Sequence, residues 1–588
     1  MDRSLCLVVG RPAGFSQEVR PDPGRAPRCL HQGRSLSVYS RAAGPGQIAK
    51  TDGLSYVLEG RIYSCPLPDF EHMLCHALGA ETPAITLATV RAFVAAADGE
   101  FLVAAEDEST GRCLVFNDSL GRLPLFSARI GEGLVIGRSA SAVQAFCRLS
   151  RPDCLGLASR LLFGYPLDER TEYEGVESFP ESGIVWLAGP SSRPIVSTVE
   201  VPYGGASAGT DCDAGELSSA TVAELGEKLA AACERRIRSF RDWTPTLALS
   251  GGFDSRLVAC AIRKAGGTVE AVTRTDWLST PADAAVAAQV AAALGIRHYA
   301  LSCGAVTPEL TLDLIRMSDG GLGCGVAHML GFLRRVGEQL GGARFLMTGD
   351  GGDKTIAPLL PLGRLTHAGE VARLRLASSA AEEEAGRALT GLSRSDLQAY
   401  VDQALRCQPG QSVPEKCRAL LFRQRARRWL NLGEDRNRSV FWCTSPFYAP
   451  DFFHRANAIA DDAKQRDQLY LRLLGWFNHE AVNIPRPGRG QHRLRDRLLL
   501  EGHLQMGRSL FLSRLYRRLK VRRPVSAMPA WLSPYLQEAR RLGGGIWDLA
   551  DPDLLLRQMD NPPSARYRSQ LISLALASLS EDSRPSGP

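Results

Sequence analysis

Residues Ser250-Gly251-Gly252-Phe253-Asp254-Ser255 constrain this chain more than any other stretch. They follow the apolar run Leu247-Ala248-Leu249 and precede Arg256-Leu257-Val258-Ala259-Cys260-Ala261-Ile262. That order predicts a buried strand, a tight glycine turn and the first turn of a helix. Such a turn gathers backbone N–H groups and a helix N-terminus around an anion. Two glycines allow close backbone approach, and Ser255 adds a hydroxyl. Asp254 would repel a bare phosphate, a conflict that Mg²⁺ between the two removes. The stretch therefore reads as a loop for a metal-bound polyphosphate. No Gly-Lys-Ser/Thr follows it, which excludes a Walker A loop. The absence of G-x-G-x-x-G excludes a dinucleotide loop.

The six residues resemble the S-G-G-x-D-S pyrophosphate loop of the ATP pyrophosphatase superfamily, whose members split ATP into AMP and pyrophosphate. The rest of the chain is compatible with such an enzyme. At 588 residues it is long enough for about two to four domains. Its 44% apolar and 23% charged residues are those of a globular protein. A net charge of +7, from 70 basic and 63 acidic residues, is mild for this length and does not suggest nucleic acid. No apolar run reaches the ~18 residues of a membrane span, and the N-terminal apolar stretch is too short for a secretory signal. The 15 cysteines are scattered without a C-x-x-C pair, which suggests free thiols in a reducing, cytoplasmic setting. His72, Cys75 and His76 fall within one turn's reach, but without complementary ligands nearby they read as part of an amphipathic helix.

Short apolar runs broken by Gly, Pro, Asp and Ser fill the first ~200 residues and predict a β-rich domain. Residues 203–215 read as a linker. Beyond it the pattern alternates: a helix over 220–240, strands at 247–249, 269–273, 298–301 and 344–347, and helices at 256–265 and 282–294. This predicts a doubly wound α/β sheet with ligands at the carboxyl ends of its strands. Past about residue 370 the chain reads as helical and basic.

A second loop repeats the theme. Phe345-Leu346-Met347 runs into Thr348-Gly349-Asp350-Gly351-Gly352-Asp353-Lys354. Two such loops on neighbouring strands would bring Asp254 and Asp353 to one polyphosphate, and two carboxylates with phosphate oxygens and waters suit Mg²⁺. In order and separation the two loops resemble the synthetase domain of the asparagine synthetase family, which includes β-lactam synthetase and the lasso-peptide cyclases. The resemblance makes Ser250, Gly251, Gly252, Asp254, Ser255 and Gly349 nucleotide-binding residues, with Val272 and Thr273 flanking the adenosine. It makes Asp254 and Asp353 the Mg²⁺ ligands, and it puts Asp350 where the family has a functional glutamate. Lys354 replaces an acid and could contact phosphate or a substrate carboxylate. Asp283 and His298 fit the family pattern between the loops.

Upstream, Asp118 to Phe126 resembles the family's D-x-x-G-x-x-P-L-Y/F, and Asp98-Gly99-Glu100-Phe101 its D-G-x-F. Glu59 to Tyr63 resembles N-G-E-I-Y, and residues 171–183 the close of the same domain. These marks belong to an Ntn-hydrolase-like αββα sandwich with glutaminase activity. That chemistry needs an N-terminal cysteine. Residue 2 is Asp2, the nearest cysteine is Cys6, Leu7 stands at a glycine position, and Glu59 takes the place of the oxyanion-hole asparagine, where its charge opposes a developing oxyanion. The resemblance thus implies a sandwich that keeps its fold without hydrolysing glutamine. Downstream, Pro446 to Phe453 resembles P-F-L-D-x-x-F, Lys464 and Tyr470 lie on a following helix, and Ile484 to Gly490 matches a loop that carries a catalytic lysine. Here Arg486 or Arg489 could supply that charge, and Arg489 is the candidate catalytic residue alongside Asp350 and Lys354. Leu515 to Arg523 reads as a basic amphipathic, solvated helix face.

The expected architecture is a glutaminase-like domain over 1–200, an ATP-pyrophosphatase domain over 216–500 and a helical basic extension over 501–588. The expected activity is ATP-dependent amide-bond formation with ATP and Mg²⁺. The expected partners are small-molecule or peptide carboxylates and amines, with no membrane span and no nucleic acid, in a chain compatible with a homodimer. The alternatives are a glutamine-hydrolysing asparagine synthetase and a non-catalytic ATP-binding scaffold.

Overall fold

The computed structural model describes residues 5–10, 28–40, 48–51, 53–201, 203, 217–275, 281–357, 380–411, 413–486, 525 and 527–579. Two antiparallel sheets built before residue 200 face each other. One contains β1 (Cys6–Val9), β2 (Arg28–Gln32), β3 (Leu36–Ser40), β8 (Phe126–Ile130), β9 (Gly133–Gly137) and β10 (Glu177–Ser178), in the order β10-β8-β9-β1-β3-β2. The other contains β4 (Ile48–Thr51), β5 (Leu54–Ile62), β6 (Gly99–Asp107), β7 (Cys113–Asn117), β11 (Gly183–Leu187) and β12 (Ile195–Thr198), in the order β12-β11-β7-β6-β5-β4. Leu7, Val9, Val57, Leu102, Val115, Ile136 and Val185 fill the space between them.

Alternation along each strand sends the remaining apolar residues outward, where helices cover them. Helices α1 (Leu67–Gly79) and α2 (Pro83–Ala96) bury Phe101, Phe116 and Trp186 under Phe70, Leu74, Val90 and Val94. Helix α3 (Ala140–Phe146) covers Cys6, Val8 and Val135 with Val143 and Phe146, and α4 (Cys154–Phe163) follows it. The result is the expected αββα sandwich. His72, Cys75 and His76 lie on α1. Among the described residues, no three His, Cys, Asp or Glu side chains converge as a metal site.

The second half holds a parallel five-stranded sheet, β15-β14-β13-β16-β17: β13 (Thr244–Ala248), β14 (Glu270–Arg274), β15 (Arg297–Leu301), β16 (Arg344–Met347) and β17 (Trp442–Thr444). One face packs Leu247, Ala271 and Phe345 against α5 (Ser219–Ser239) and α6 (Phe253–Lys264), including Leu225, Leu229, Leu257 and Val258. The other face packs Val272, Leu346 and Cys443 against Phe332, Leu333 and Val336 of α9 (Ala327–Leu340, after α7 at Pro281–Ala293 and α8 at Pro308–Met317). Both faces of the central strands are covered, so β16 is buried throughout, whereas the edge strand β15 stays partly exposed. Full burial of a side chain such as Phe345 stabilises by about 1.5–3 kcal/mol.

From β13 the chain moves one way to β14 and β15, then returns to the other side of β13 for β16 and β17. The order therefore reverses between β13 and β16, the place where open α/β sheets bind ligands. Both glycine loops leave the sheet there. Two features differ from the sequence reading. Helix α6 begins at Phe253 rather than Arg256, so Asp254 and Ser255 belong to its first turn. Trp442–Thr444, inside a region expected to be helical, is a strand that extends the sheet beside β16.

Candidate active site at the switch point of the parallel sheet

The first loop is held from four sides. The Ser250 amide donates to Ser255 Oγ at 3.0 Å and the Gly252 amide to Ser250 Oγ at 3.2 Å. The Gly251 amide donates to Asp283 Oδ1, on α7, at 2.7 Å. Arg256 reaches back from α6 to donate to Gly251 O at 2.9 Å, and its other terminal nitrogen donates to the carbonyls of Ala481 and Ile484 at 3.0 and 2.6 Å. Gly252 caps α6 without a side-chain hydrogen bond, so the N–H groups of the first turn keep the orphan status that favours an anion.

Thr273, at the end of β14, braces the strand end before this loop. Its hydroxyl donates to Leu249 O at 2.6 Å, and His298 Nε2 stands 2.8 Å from the same oxygen. The Thr273 proton is already given away, so His298 must donate through Nε2–H. Burial lowers the His298 pKa, in keeping with a neutral ring. Val272 is buried against α9, beside Thr273.

The second loop touches the first. A Cβ on Gly349 would lie 2.6 Å from the Ser255 amide nitrogen, and one on Gly352 2.3 Å from Asp254 Oδ1. At Gly349 no side chain fits between the two backbones, and at Gly352 one would strike the Asp254 carboxylate. Asp254 is partly buried and accepts a hydrogen bond from Tyr470 Oη. Burial, and then the neighbouring Asp353 and Asp350, push its carboxyl up to about 6 against the Tyr470 hydrogen bond and Lys354. Asp350 is also raised to about 6, by burial and Glu434, with Lys354 and Arg436 opposing. Asp353 is exposed, and Lys354 Nζ bridges both its oxygens at 2.7 and 2.9 Å. Lys354 thus neutralises one proposed metal ligand here and does not reach out alone. Asp254 and Asp353 are a pair of acids near enough for one to raise the pKa of the other, and two carboxylates completed by phosphate oxygens and waters suit a divalent cation.

The structure gathers Ser250, Gly251, Gly252, Asp254, Ser255, Gly349, Asp350, Asp353 and Lys354 at one switch point, with Val272 and Thr273 on the adjoining strand. Arg489 lies outside the described residues. Arg486 is described: it pairs with Asp467 at 2.9 Å, and its guanidinium lies 3.6 Å from the Phe253 ring centroid, over the start of α6. Sequence reasoning assigned no role to Arg256, although a cation inside the apolar run 256–262 was the available signal. Nor did it assign one to Tyr470 or to Lys464. Lys464 Nζ is buried and donates to Thr355 O at 2.8 Å, at the end of α10 (Gly352–Thr355), and burial pushes its amine down to about 7.

Residues 224–502 match the family model for asparagine synthase. The chain carries an asparagine-synthase-type ATP-pyrophosphatase domain. That makes it an enzyme of the ATP-using ligase type. No curated protein matches the chain. Among solved structures it is similar to glutamine phosphoribosylpyrophosphate amidotransferase from B. subtilis, at 10% identity over 51% of this chain and 85% of that one, with a TM-score of 0.21. NMN synthetase from Francisella tularensis is 16% identical over 36% of this chain and 95% of that one, with a TM-score of 0.20. An allosteric regulatory enzyme of purine biosynthesis is 12% identical over 46% and 59%, with a TM-score of 0.20. None of the three overlays closely enough to bear on function here. Among the described residues no helix is long and apolar enough to cross a membrane.

Proposed function

We propose that this enzyme activates a carboxylate as an acyl-adenylate and transfers the acyl group to an amine. A carboxylate oxygen of the substrate attacks the α-phosphorus of ATP. The α–β phosphoanhydride bond breaks, and pyrophosphate leaves with the bonding pair. The amine nitrogen then attacks the acyl carbon, the acyl–oxygen bond breaks, AMP leaves, and the amine loses a proton.

Ser250, Gly251, Gly252 and Ser255 would line the leaving pyrophosphate, with the first-turn amides of α6 and the serine hydroxyls as its donors, and Gly349 would let the second loop close on it. Val272 and Thr273 would flank the adenosine. Asp254 and Asp353 would hold Mg²⁺, with the polyphosphate and water completing its shell, and the ion would supply charge neutralisation on the phosphates. Lys354, freed from Asp353, would meet phosphate or the substrate carboxylate. Asp350 would orient the incoming amine, and Arg489 would add charge to the adenylating transition state. Fixed donors aimed at developing charge are the main catalytic resource of such a site.

The observation that carries this reading is the direct contact of two acidic glycine loops across the switch point. Cys6 supports a nitrogen source other than glutamine: it is buried in β1, paired with β3 and β9, in an apolar cluster under α3. Domain limits at 200, 216 and 500 belong to the same proposal. The test is isotopic. With an ¹⁸O-labelled carboxylate and ammonia or an amine, AMP should acquire one ¹⁸O per turnover. ADP as the nucleotide product, or AMP free of label, would rule out an acyl-adenylate.

A further inference from the structure

The motif Asp98-Gly99-Glu100-Phe101, at the start of β6, has no part in the proposed chemistry, yet both its acids are buried at the contact between the sandwich and the parallel sheet. Asp98 takes a two-pronged hydrogen bond from Arg236 of α5, at 2.9 and 3.0 Å. Glu100 Oε1 accepts from Thr444 Oγ1, at the end of β17, at 2.8 Å, and Oε2 accepts from Tyr63 Oη at 2.6 Å. Arg236 closes the ring: Nε donates to Thr444 Oγ1 at 2.9 Å and Nη2 to Ser445 O at 3.2 Å. Thr444 and Ser445 then hold the second loop directly. Thr444 O accepts from the Thr348 amide at 3.0 Å, and Ser445 Oγ donates to the carbonyl of Asp350 at 2.6 Å.

Each hydroxyl in this chain has one direction open to it. Arg236 can only donate, so Thr444 Oγ1 must accept from it and give its own proton to Glu100. A carboxylate accepts only, so Glu100 fixes the Thr444 rotor, and the Thr444 carbonyl and the Ser445 hydroxyl fix Thr348 and Asp350. Arg122 completes the surroundings of Glu100 at 3.4 Å and binds Glu434 at 2.5 Å. Buried charges are costly to hold, and well-packed apolar residues would serve stability as well. What the charged ring adds is a single orientation.

We propose that Asp98 and Glu100 are positioning residues of the synthetase site, so that the sandwich sets the second loop through Arg236, Thr444 and Ser445. This inference rests on the ligase reading for its kinetic consequence but not for its structural one, and both can be measured.

Thr444→Val keeps the shape and removes both side-chain hydrogen bonds, whereas Thr444→Ser keeps them. Amide hydrogen exchange in the full-length protein should quicken about tenfold or more in peptides covering 345–356 for Thr444→Val and stay at the wild-type rate for Thr444→Ser. In ATP–pyrophosphate exchange, Thr444→Val should lower kcat about 10- to 100-fold, with KM for ATP within about twofold, and Thr444→Ser should restore kcat. Wild-type protection of 345–356 in Thr444→Val, an unchanged kcat, or a serine variant as impaired as the valine one would overturn the proposal. If Thr444→Val fails to fold, Ser445→Ala, which cuts only the bond to the Asp350 carbonyl, must show the same loosening and the same kcat loss or the proposal falls. If wild-type protein performs no exchange, the ligase reading fails, and hydrogen exchange alone decides this one.

Discussion

Asp254 and Asp353 could be read from the chain because local order announces them: an apolar run, glycines, an acid, then helix. Gly349 was legible in the same way, and its role can be tested by adding one methyl group. Gly349→Ala would set a Cβ 2.6 Å from the Ser255 amide nitrogen and 2.8 Å from the Asp254 carbonyl carbon and Cβ, atoms that cannot swing away. The loops must part, and kcat for adenylation should fall at least ~100-fold, since misplacement by about 1 Å has that effect. Wild-type kinetics in a folded Gly349→Ala protein would show that the contact is not needed. Lys464 was named from sequence without its environment, because its burial depends on elements that meet only in the fold. Its folded pKa, about 7, is depressed below the 10.5 of a free lysine. The folded state therefore binds fewer protons between those values, so stability rises with pH across that window and is flat outside it. The slope contributed is at most about 1.4 kcal/mol per pH unit. Lys464→Met lacks this contribution, so its stability relative to wild type should decline steadily from about pH 7 to 10.5, as followed by chemical denaturation. A constant difference would mean that Lys464 stays charged in the folded protein.

At the scale of elements, β13 to β16 and helices α5 to α7 were legible within a few residues. Most carry a short apolar core or an amphipathic face, with glycines marking the turns after α6, after α7 and before β16. Trp442–Thr444 was not, because a three-residue strand is too short to show a period and here it follows a polar, charged helix, Asn431–Arg438. Its pairing with β16 exists only because the sheet already offers an open edge. Arg256 was missed for a related reason: its three acceptor carbonyls come from the first loop and from residues more than two hundred positions away. It staples that loop to the segment leading to Arg486. Arg256→Met would leave three carbonyls short of a donor, each costing about 1–3 kcal/mol if it stays buried. The melting temperature should drop by roughly 5 °C or more, at about 2–4 °C per kcal/mol for a domain of this size. The KM for ATP should rise with it. A stable variant with unchanged KM would show that the staple is incidental.

Across the whole molecule, the sandwich and the ATP domain meet through buried ion pairs that no local pattern reveals, because the partners lie about three hundred residues apart. Arg122 joins Glu434 at 2.5 Å and Arg138 joins Asp435 at 2.6 Å, while within the sandwich Arg138 also pairs with Glu59 at 3.3 Å. Glu59, read from sequence as an obstacle to an oxyanion, is thus a partner of Arg138 on the face toward the ATP domain. Cys6 is buried inside β1, and under the proposed function the sandwich serves the synthetase site rather than glutamine hydrolysis. The central claim is that ATP is split between its α and β phosphates at the two touching loops. ATP–pyrophosphate exchange tests it most directly, with Mg²⁺ and a panel of carboxylates, on wild type, Asp254→Ala and Asp353→Ala. Wild type should incorporate labelled pyrophosphate into ATP in a carboxylate-dependent way, and both variants should lose about 100- to 1,000-fold, as on removal of a main charge-stabilising group. Exchange that survives in Asp254→Ala would contradict it.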